Sequence, residues 1–225
     1  MDLTAELVAL VERTEPDPGP EPGTSEHTDA EFAQMAETLL RDRDQDPLWI
    51  FAYGSLIWNP EFTIEETRRA RARDWHRSFC LKLTRWRGTR ELPALMLALD
   101  RGGICEGLAY RLPDQDKIEQ IIRLLKREID ANPPTNVPKW IGIETTEGPL
   151  NALAFVALPD GPAYAGRRPL PEVARVLARA AGHWGSAAQY AFNTISHLEE
   201  RGIRDDDLWQ IQQLMANEIR AEFGR

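Results

Sequence analysis

The chain has 225 residues, of which 42% are apolar, and it carries a formal net charge of −9 at pH 7. This length and apolar content support one hydrophobic core, or one core with a helical appendage. The negative charge argues against nucleic acid or an anionic membrane surface as the main partner, because both are recognised by clustered lysine and arginine. The sequence contains no stretch long and apolar enough to cross a bilayer, and a cleaved signal is not expected from it.

The amino-terminal part, residues 1–46, is predicted to be an extension of helices and linker that precedes a catalytic domain over residues 47–225. Residues 14–28 are rich in proline, glycine and acidic side chains, which is typical of a mobile or extended linker. Two short helices are predicted to flank the linker, at about residues 3–12 and 29–41. Thr28, with Glu31 three residues later, predicts a capping box at the start of the second helix.

After residue 47 the pattern predicts mostly strands first and mostly helices last. The strands are expected at about residues 48–53, 68–84, 94–99, 104–111, 139–146 and 151–158. The helices are expected at about residues 114–130, 171–181, 186–201 and 205–223. This order predicts an α+β fold. Long antiparallel stretches separated by turns favour a small, mostly antiparallel β-barrel with packed helices and a helical carboxyl-terminal third.

The stretch from Trp49 to Trp58 is an apolar strand that stops at Gly54-Ser55 and then resumes. Glycine permits backbone angles that a side chain would forbid, so a glycine turn at a strand end can leave backbone N–H groups available to a ligand. The pattern therefore suggests a binding loop. It is equally compatible with ordinary core architecture, in which the turn has only a structural role.

The helix predicted over residues 114–130 is amphipathic and carries one charged side chain on its apolar side. Its apolar side chains recur at helical spacing: Ile118, Ile121, Ile122, Leu125 and Ile129. Glu128 lies on the same side, because it follows Ile121 by seven residues and Leu124 by four. The charged side chains of Glu119, Arg123, Lys126 and Arg127 are predicted to lie on the solvated side.

A partly buried carboxylate is costly unless it is paired, neutralised or hydrogen-bonded, and the same desolvation raises its pKa towards that of a useful general base. Glu128 is therefore a candidate acid/base. The structural alternative is that it pairs with an arginine from elsewhere, or lies at the edge of the apolar face and reaches water.

Other polar side chains support simpler interpretations. The alternating arginines at positions 68, 69, 71 and 73 indicate a solvated strand face, whereas Arg77, Arg85, Arg87 or Arg90 could form a local positive pocket for substrate carboxylates. Cys80 and Cys105 lie in separate apolar segments without a Cys-x-x-Cys spacing, so reduced core thiols and a cytoplasmic location are expected. The four histidines show no spacing typical of metal ligands, and we expect no metal site. Ser55 lacks the Gly-x-Ser-x-Gly context of a nucleophile, which favours a binding role.

Five separated blocks resemble, in their order, the ChaC-type glutathione-specific γ-glutamylcyclotransferases. The blocks are Trp49–Trp58, Arg77–Leu81, Gly107–Arg111, Leu125–Glu128 and Tyr164–Gly166, and the similarity spans about residues 48–214. The resemblance implies a small barrel and a cleavage without water, in which the γ-glutamyl unit of glutathione closes on itself to give 5-oxoproline and cysteinylglycine. It implies a small-molecule substrate and no cofactor.

The resemblance also implies roles for particular residues. The Tyr-Gly-Ser-Leu loop of the family holds the γ-glutamyl group, and the glutamate of its Arg-Glu pair is the acid/base. Carried over to this sequence, the catalytic residue is Glu128. The candidate substrate-binding residues are those of the loop and of the strand before it: Ile50, Phe51, Ala52, Tyr53, Gly54, Ser55 and Leu56.

Two departures from the family pattern bear on substrate choice. Ala52 stands where a glycine often precedes the Tyr-Gly-Ser motif, and the segment over residues 129–140 lacks the tyrosine-containing run common there. Glutathione is therefore the first choice of substrate and another γ-glutamyl compound the second. A different class also stays open: a non-catalytic module that binds a γ-glutamyl or amino-acid ligand and regulates a partner.

Overall fold

The computed structural model describes residues 1–42, 47–129 and 131–223. The strands are β1 (Trp49–Ala52), β2 (Glu66–Leu83), β3 (Ala94–Arg111), β4 (Asn136–Thr145), β5 (Gly148–Ala157), β6 (Ala181–Gly182) and β7 (Gly185–Ser186). The helices are α1 (Ala5–Val11), α2 (Asp29–Arg41), α3 (Lys117–Glu128), α4 (Leu170–Arg179), α5 (Ala187–Glu200) and α6 (Asp206–Phe223). A 3₁₀ turn covers Ser55–Ile57. The predicted α+β class is confirmed, and the expected last residue of the third helix, at position 130, lies outside the described residues.

Strands β1 to β5 close into a barrel in the order β1-β3-β2-β4-β5, with β5 also pairing with β1 and β3. The β1–β3, β2–β4 and β4–β5 pairs are antiparallel, whereas β5 runs parallel to β1 and β3. The expected small, mostly antiparallel barrel is therefore confirmed. Its interior is a cluster of apolar side chains that includes Phe51, Trp75 and Leu99. Closure leaves none of the five strands as a bare edge.

One strand prediction was wrong. The two strands expected at residues 94–99 and 104–111 are a single continuous strand, β3. Gly102 and Gly103 have φ values of +95° and +74°, so they bend the strand without reversing it. A Gly-Gly pair in sequence therefore resembled a turn although the chain continues in the same sheet.

The chain forms two compact units. The barrel unit comprises Thr24–Arg77 and Ala98–Pro162, and the helical unit comprises Met1–Gly23, Ser78–Leu97 and the described residues from 163 onward. Within the barrel unit, α2 begins with the predicted capping box of Thr28 and Glu31. Helix α3 is joined to α2 by an ion pair of 2.6 Å between Lys126 Nζ and Asp29 Oδ1. The predicted domain boundary between residues 46 and 47 stays a prediction.

In the helical unit, the acidic linker up to Gly23 is held by specific contacts. Asp17 accepts two hydrogen bonds from the Arg85 guanidinium, at 2.7 and 2.8 Å, and Glu21 accepts one from the Thr84 hydroxyl at 2.5 Å. The Arg85 guanidinium holds the pKa of Asp17 well below its usual range. The sequence predicts a mobile or extended segment, and these bonds attach its first part to Thr84 and Arg85.

Within the described ranges, no helix has both the length and the apolar character that spanning a membrane requires.

Candidate active site

Strand β1 carries the first candidate binding residues on two faces. Trp49, Phe51 and Tyr53 belong to the barrel interior, and Ile50 and Ala52 point to the opposite face because side chains alternate along a strand. All five side chains are buried. Gly107 on β3 lies directly against this strand: a Cβ there would stand 2.5 Å from the Ala52 carbonyl oxygen and 2.8 Å from the Phe51 ring. Close packing thus fixes the base of the loop.

The strand turns at Gly54 into the 3₁₀ turn that begins at Ser55. The N–H groups of Ile57 and Trp58 donate to the carbonyl oxygens of Gly54 and Ser55, at 2.9 and 3.2 Å, and that of Asn59 also donates to Ser55, at 2.8 Å. The first N–H groups of such a turn have no partner within the turn itself, so this geometry directs them outward. Leu56 is buried and Ser55 is partly exposed. The polar edge of the loop therefore lies at Ser55.

The reason offered for glycine at position 54 was only partly right. Gly54 has φ −137° and ψ −125°, so it does not occupy the left-handed region that favours glycine. Its backbone turns out of the extended strand conformation while φ remains negative. The prediction that a side chain here affects ligand binding therefore depends on space at the loop rather than on the sign of φ.

Tyr53 and Arg77 anchor the base of the loop. The Tyr53 hydroxyl donates to the carbonyl oxygen of Phe155 on β5 at 2.7 Å. Arg77 is only 5% exposed; its Nε donates to the Tyr53 carbonyl oxygen at 2.7 Å, and its terminal nitrogen donates to the Glu106 carbonyl oxygen. Buried charge-assisted bonds of this kind hold backbone more firmly than neutral ones. Arg77 thus supports the loop from below, a role that its sequence position did not reveal.

The other arginines proposed for a positive pocket lie in the helical unit and have local partners. Arg85 pairs with Asp17, and Arg90 donates to the Pro20 carbonyl oxygen at 3.1 Å and pairs with Glu21 at 3.5 Å. Arg87 donates to the carbonyl oxygen of Ser186 and to Gln189. Each of these three guanidinium groups is thus engaged with its own partner, and a carboxylate pocket formed by one of the four arginines stays a prediction.

Glu128 is the last residue of α3, and its side chain is 16% exposed. Burial, the largest influence, raises the pKa of Glu128, whereas the neighbouring Arg127 opposes that rise and the negative charge of Glu61 adds to it. Arg127 Nε donates to Glu128 Oε1 at 3.0 Å. The arginine that contacts Glu128 is therefore the adjacent residue and not one from elsewhere in the chain, and the pKa of Glu128 is raised despite this contact.

Two details of the predicted helix face were wrong. Ile118 is 47% exposed, whereas Ile121 and Leu125 are buried as predicted, and Gln120 and Leu124 are buried beside them. This shift of the buried direction brings Glu128 closer to its centre, because it follows Leu124 by four residues and Leu125 by three.

The second error concerns Arg127, which was placed on the solvated side but is only 15% exposed. Its guanidinium lies between two carboxylates, Glu128 and Glu61, with 2.8 Å between Arg127 Nη1 and Glu61 Oε1. Helical periodicity describes where the side chain starts. It does not describe where a long arginine side chain ends once charged partners hold it.

These side chains connect the two predicted parts of the site. Asn59 Nδ2 donates to Glu61 Oε1 at 2.8 Å, and the Asn59 backbone N–H donates to the Ser55 carbonyl oxygen. A continuous set of polar contacts therefore runs from Glu128 through Arg127, Glu61 and Asn59 to the loop. Sequence analysis did not identify Arg127, Glu61 or Asn59 as part of the site. The only signal for them in the sequence was that Glu61 lies a few residues after Ser55.

Cys80 and Cys105 are buried thiols, as expected. The described part of the chain contains no group of three or more His, Cys, Asp or Glu side chains placed to hold a metal ion. The arginines on the outer face of β2 have acidic partners: Arg69 and Arg71 contact Glu106, and Arg73 contacts Glu144.

The barrel fold is that of the γ-glutamylcyclotransferases. The crystal structure of a yeast γ-glutamyl cyclotransferase specific to glutathione superposes with a TM-score of 0.68 at 16% identity, covering 80% of this chain and 100% of that one. At this identity the likeness concerns the fold alone.

Sequence comparison is more specific. The family model for ChaC-like proteins matches residues 48–218. The glutathione-specific gamma-glutamylcyclotransferase of Escherichia coli K12 is 38% identical over 177 residues, covering 78% of this chain and 76% of that protein. Gamma-glutamylcyclotransferase 2-1 of Arabidopsis thaliana is 33% identical over 185 residues, with coverage of 78% and 83%. The chain belongs to the ChaC-like family.

Proposed function

We propose that this protein is a glutathione-specific γ-glutamylcyclotransferase that releases 5-oxoproline and cysteinylglycine. The observation that carries the proposal is a carboxyl group, Glu128, with a raised pKa and a polar connection to the loop at Ser55. The family membership and the names of the relatives supply the reaction class and the substrate.

In the proposed reaction the substrate supplies both the nucleophile and the electrophile. Glu128 in its ionised form takes a proton from the α-ammonium group of the γ-glutamyl unit, and the freed amine attacks the δ-carbonyl carbon. The C–N bond to the cysteinyl nitrogen then breaks as the protonated Glu128 gives its proton to the leaving amine. The ring nitrogen releases its second proton to solvent, and the departed amine takes up a proton from solvent to become an ammonium group. One carboxyl group therefore serves as base and then as acid, and its raised pKa brings it nearer to the operating pH.

The cyclisation needs no covalent enzyme intermediate and no added water. Well-oriented intramolecular reactions reach effective molarities of about 10⁵ to 10⁸ M, so the main task of the protein is to fold the substrate into the ring-closing conformation. We assign this task to Ile50, Phe51, Ala52, Tyr53, Gly54, Ser55 and Leu56. Ser55 and the neighbouring backbone N–H groups bind a substrate carboxylate or the developing oxyanion.

The proposal is tested by incubating the purified protein with reduced glutathione, N-acetylglutathione and oxidised glutathione, and measuring 5-oxoproline. Reduced glutathione should give product. The acetylated compound should bind without reacting, because its amide nitrogen is not a useful nucleophile. Oxidised glutathione should be excluded if the pocket is as closed as the family resemblance implies.

Each outcome has a separate meaning. Product from the acetylated compound would refute attack by the α-amine, and product from the oxidised form would refute a closed pocket. Binding of reduced glutathione without any product would favour the regulatory module over the enzyme. Product from other γ-glutamyl peptides at higher kcat/KM than from glutathione would move the substrate assignment to them. A cytoplasmic location, predicted from the two thiols, belongs to the same proposal.

A further inference from the structure

The segment that follows the candidate binding loop places a negatively charged side chain, Glu61, beside Arg127, which contacts the candidate acid/base Glu128. Glu61 lies beyond the 3₁₀ turn, and its Oε1 atom contacts both Arg127 Nη1 and Asn59 Nδ2, each at 2.8 Å. One oxygen atom thus accepts the Asn59 hydrogen bond and lies at ion-pair distance from the Arg127 guanidinium. Those donors belong to different parts of the site, since Arg127 binds Glu128 and the Asn59 backbone binds Ser55.

Glu61 also has an unusual backbone. Its φ of +56° lies in the left-handed region, which glutamate rarely occupies. Such conformations persist when the surrounding structure imposes them, and they concentrate at functional sites. Glycine would adopt this angle at little cost, but the residue at position 61 is a glutamate. The strain and the doubly used carboxylate are two independent observations on one residue.

We propose that Glu61 is a positioning residue for Glu128, acting through Arg127, and that it ties this carboxyl group to the substrate loop through Asn59. This assignment rests on the proposed cyclotransferase function. A negative charge on the far side of Arg127 competes with Glu128 for the guanidinium. Glu61 therefore limits how strongly Arg127 stabilises the ionised form of Glu128, and keeps that carboxyl group basic enough to take the α-ammonium proton.

The direction of the effect follows from the charges that face Glu128. These are Arg127 from its own helix and Glu61 from the segment after the loop, and they act in opposite senses. Neutralising Glu61 leaves Arg127 to Glu128 alone, so the pKa of Glu128 should fall. Neutralising Arg127 removes the favourable charge, so the pKa of Glu128 should rise.

The experiment compares Glu61→Gln with Glu65→Gln in the pH profile of kcat for 5-oxoproline release. Glu65 is a matched control, because it carries the same charge in the same segment and pairs with Arg111 at 2.7 Å. The acidic limb of the profile reports ionisation of the base in the bound complex. Glu61→Gln should move this limb to lower pH, and Glu65→Gln should leave it in place.

Two further variants separate the two contacts of Glu61. Glu61→Gln keeps an oxygen that can accept the Asn59 hydrogen bond, whereas Glu61→Ala loses it. Glu61→Ala should therefore also raise KM several-fold, while Glu61→Gln leaves KM nearly unchanged. Arg127→Gln should move the acidic limb to higher pH. Adding Glu61→Gln to Arg127→Gln should then move the acidic limb little further, because Glu61 is proposed to act on Glu128 mainly through Arg127. Thermal unfolding of each variant establishes that it is folded.

A readout that needs no turnover separates this assignment from the proposed reaction. The ¹³C carboxyl resonance of Glu128, identified by its loss in Glu128→Gln, is titrated in the wild type and in the Glu61 and Glu65 variants. A lower pKa of Glu128 in Glu61→Gln but not in Glu65→Gln supports the positioning role of Glu61. This holds even if the wild type releases no 5-oxoproline, because the absence of product would overturn the proposed reaction and not the positioning role. Profiles and titrations of Glu61→Gln that superimpose on the wild type would overturn it.

Discussion

Replacing Glu128 by glutamine tests the centre of the proposed chemistry. The amide keeps the shape of the side chain and an oxygen that can accept the Arg127 Nε hydrogen bond, but it cannot exchange a proton at neutral pH. General acid–base catalysis contributes about 10² to 10⁴ in rate. We therefore expect kcat for 5-oxoproline release to fall by at least about 10²-fold, equivalent to about 2.7 kcal/mol of activation free energy.

The same substitution has a predictable effect on stability. The pKa of Glu128 in the folded protein is raised above its ordinary value of 4.5, so the folded state binds this proton more tightly than the unfolded state does. The stability that Glu128 contributes is fully present below that value and is lost as pH rises through the folded-state pKa. Glu128→Gln has no such titration. Its midpoint of thermal unfolding at pH 7 should therefore equal or exceed that of the wild type, and the wild type should gain stability relative to the variant on acidification.

Glu119→Gln is the matched control, because Glu119 lies on the same helix, carries the same charge and is exposed. It should leave turnover unchanged. A folded Glu128→Gln protein with wild-type kcat would refute the acid/base assignment. A variant with reduced kcat but a strongly lowered unfolding midpoint would show that Glu128 is needed for the fold, and that the kinetic loss is secondary.

Substitutions at three positions test the surroundings of the site. Gly54→Val should raise KM and lower kcat together by filling the loop, with Gly54→Ala intermediate; unchanged kinetics in both would leave the loop a structural role only. Tyr53→Phe removes the hydroxyl that donates to the Phe155 carbonyl oxygen and should lower the free energy of unfolding by about 1 kcal/mol in urea titrations. An unchanged urea midpoint would contradict this expectation. Glu61→Gly should unfold at a higher temperature than Glu61→Ala, because glycine relieves the left-handed φ by about 1 kcal/mol, and an equal or lower midpoint would argue against strain.

Local patterns predicted most of the elements and the two main parts of the site. The capping box at Thr28, the strand before Gly54 and the amphipathic helix that ends at Glu128 each depend on residues within a few positions of one another, so sequence alone contains the relevant spacing. Glu128 was identifiable because a carboxylate among apolar side chains contradicts the pattern around it. The family resemblance then supplied the chemistry, which periodicity does not contain.

The connections between these parts depended on the tertiary structure. Arg77 on β2 supports the loop because it binds the carbonyl oxygens of Tyr53, just after β1, and of Glu106 on β3. Arg127 is buried, and the chain brings Glu61 to it from another segment. A long charged side chain has many rotamers, and its end is placed by partners distant in sequence. The sequence by itself therefore determined which groups are chemically capable, and only the folded chain decided which charges face them and set their proton affinity.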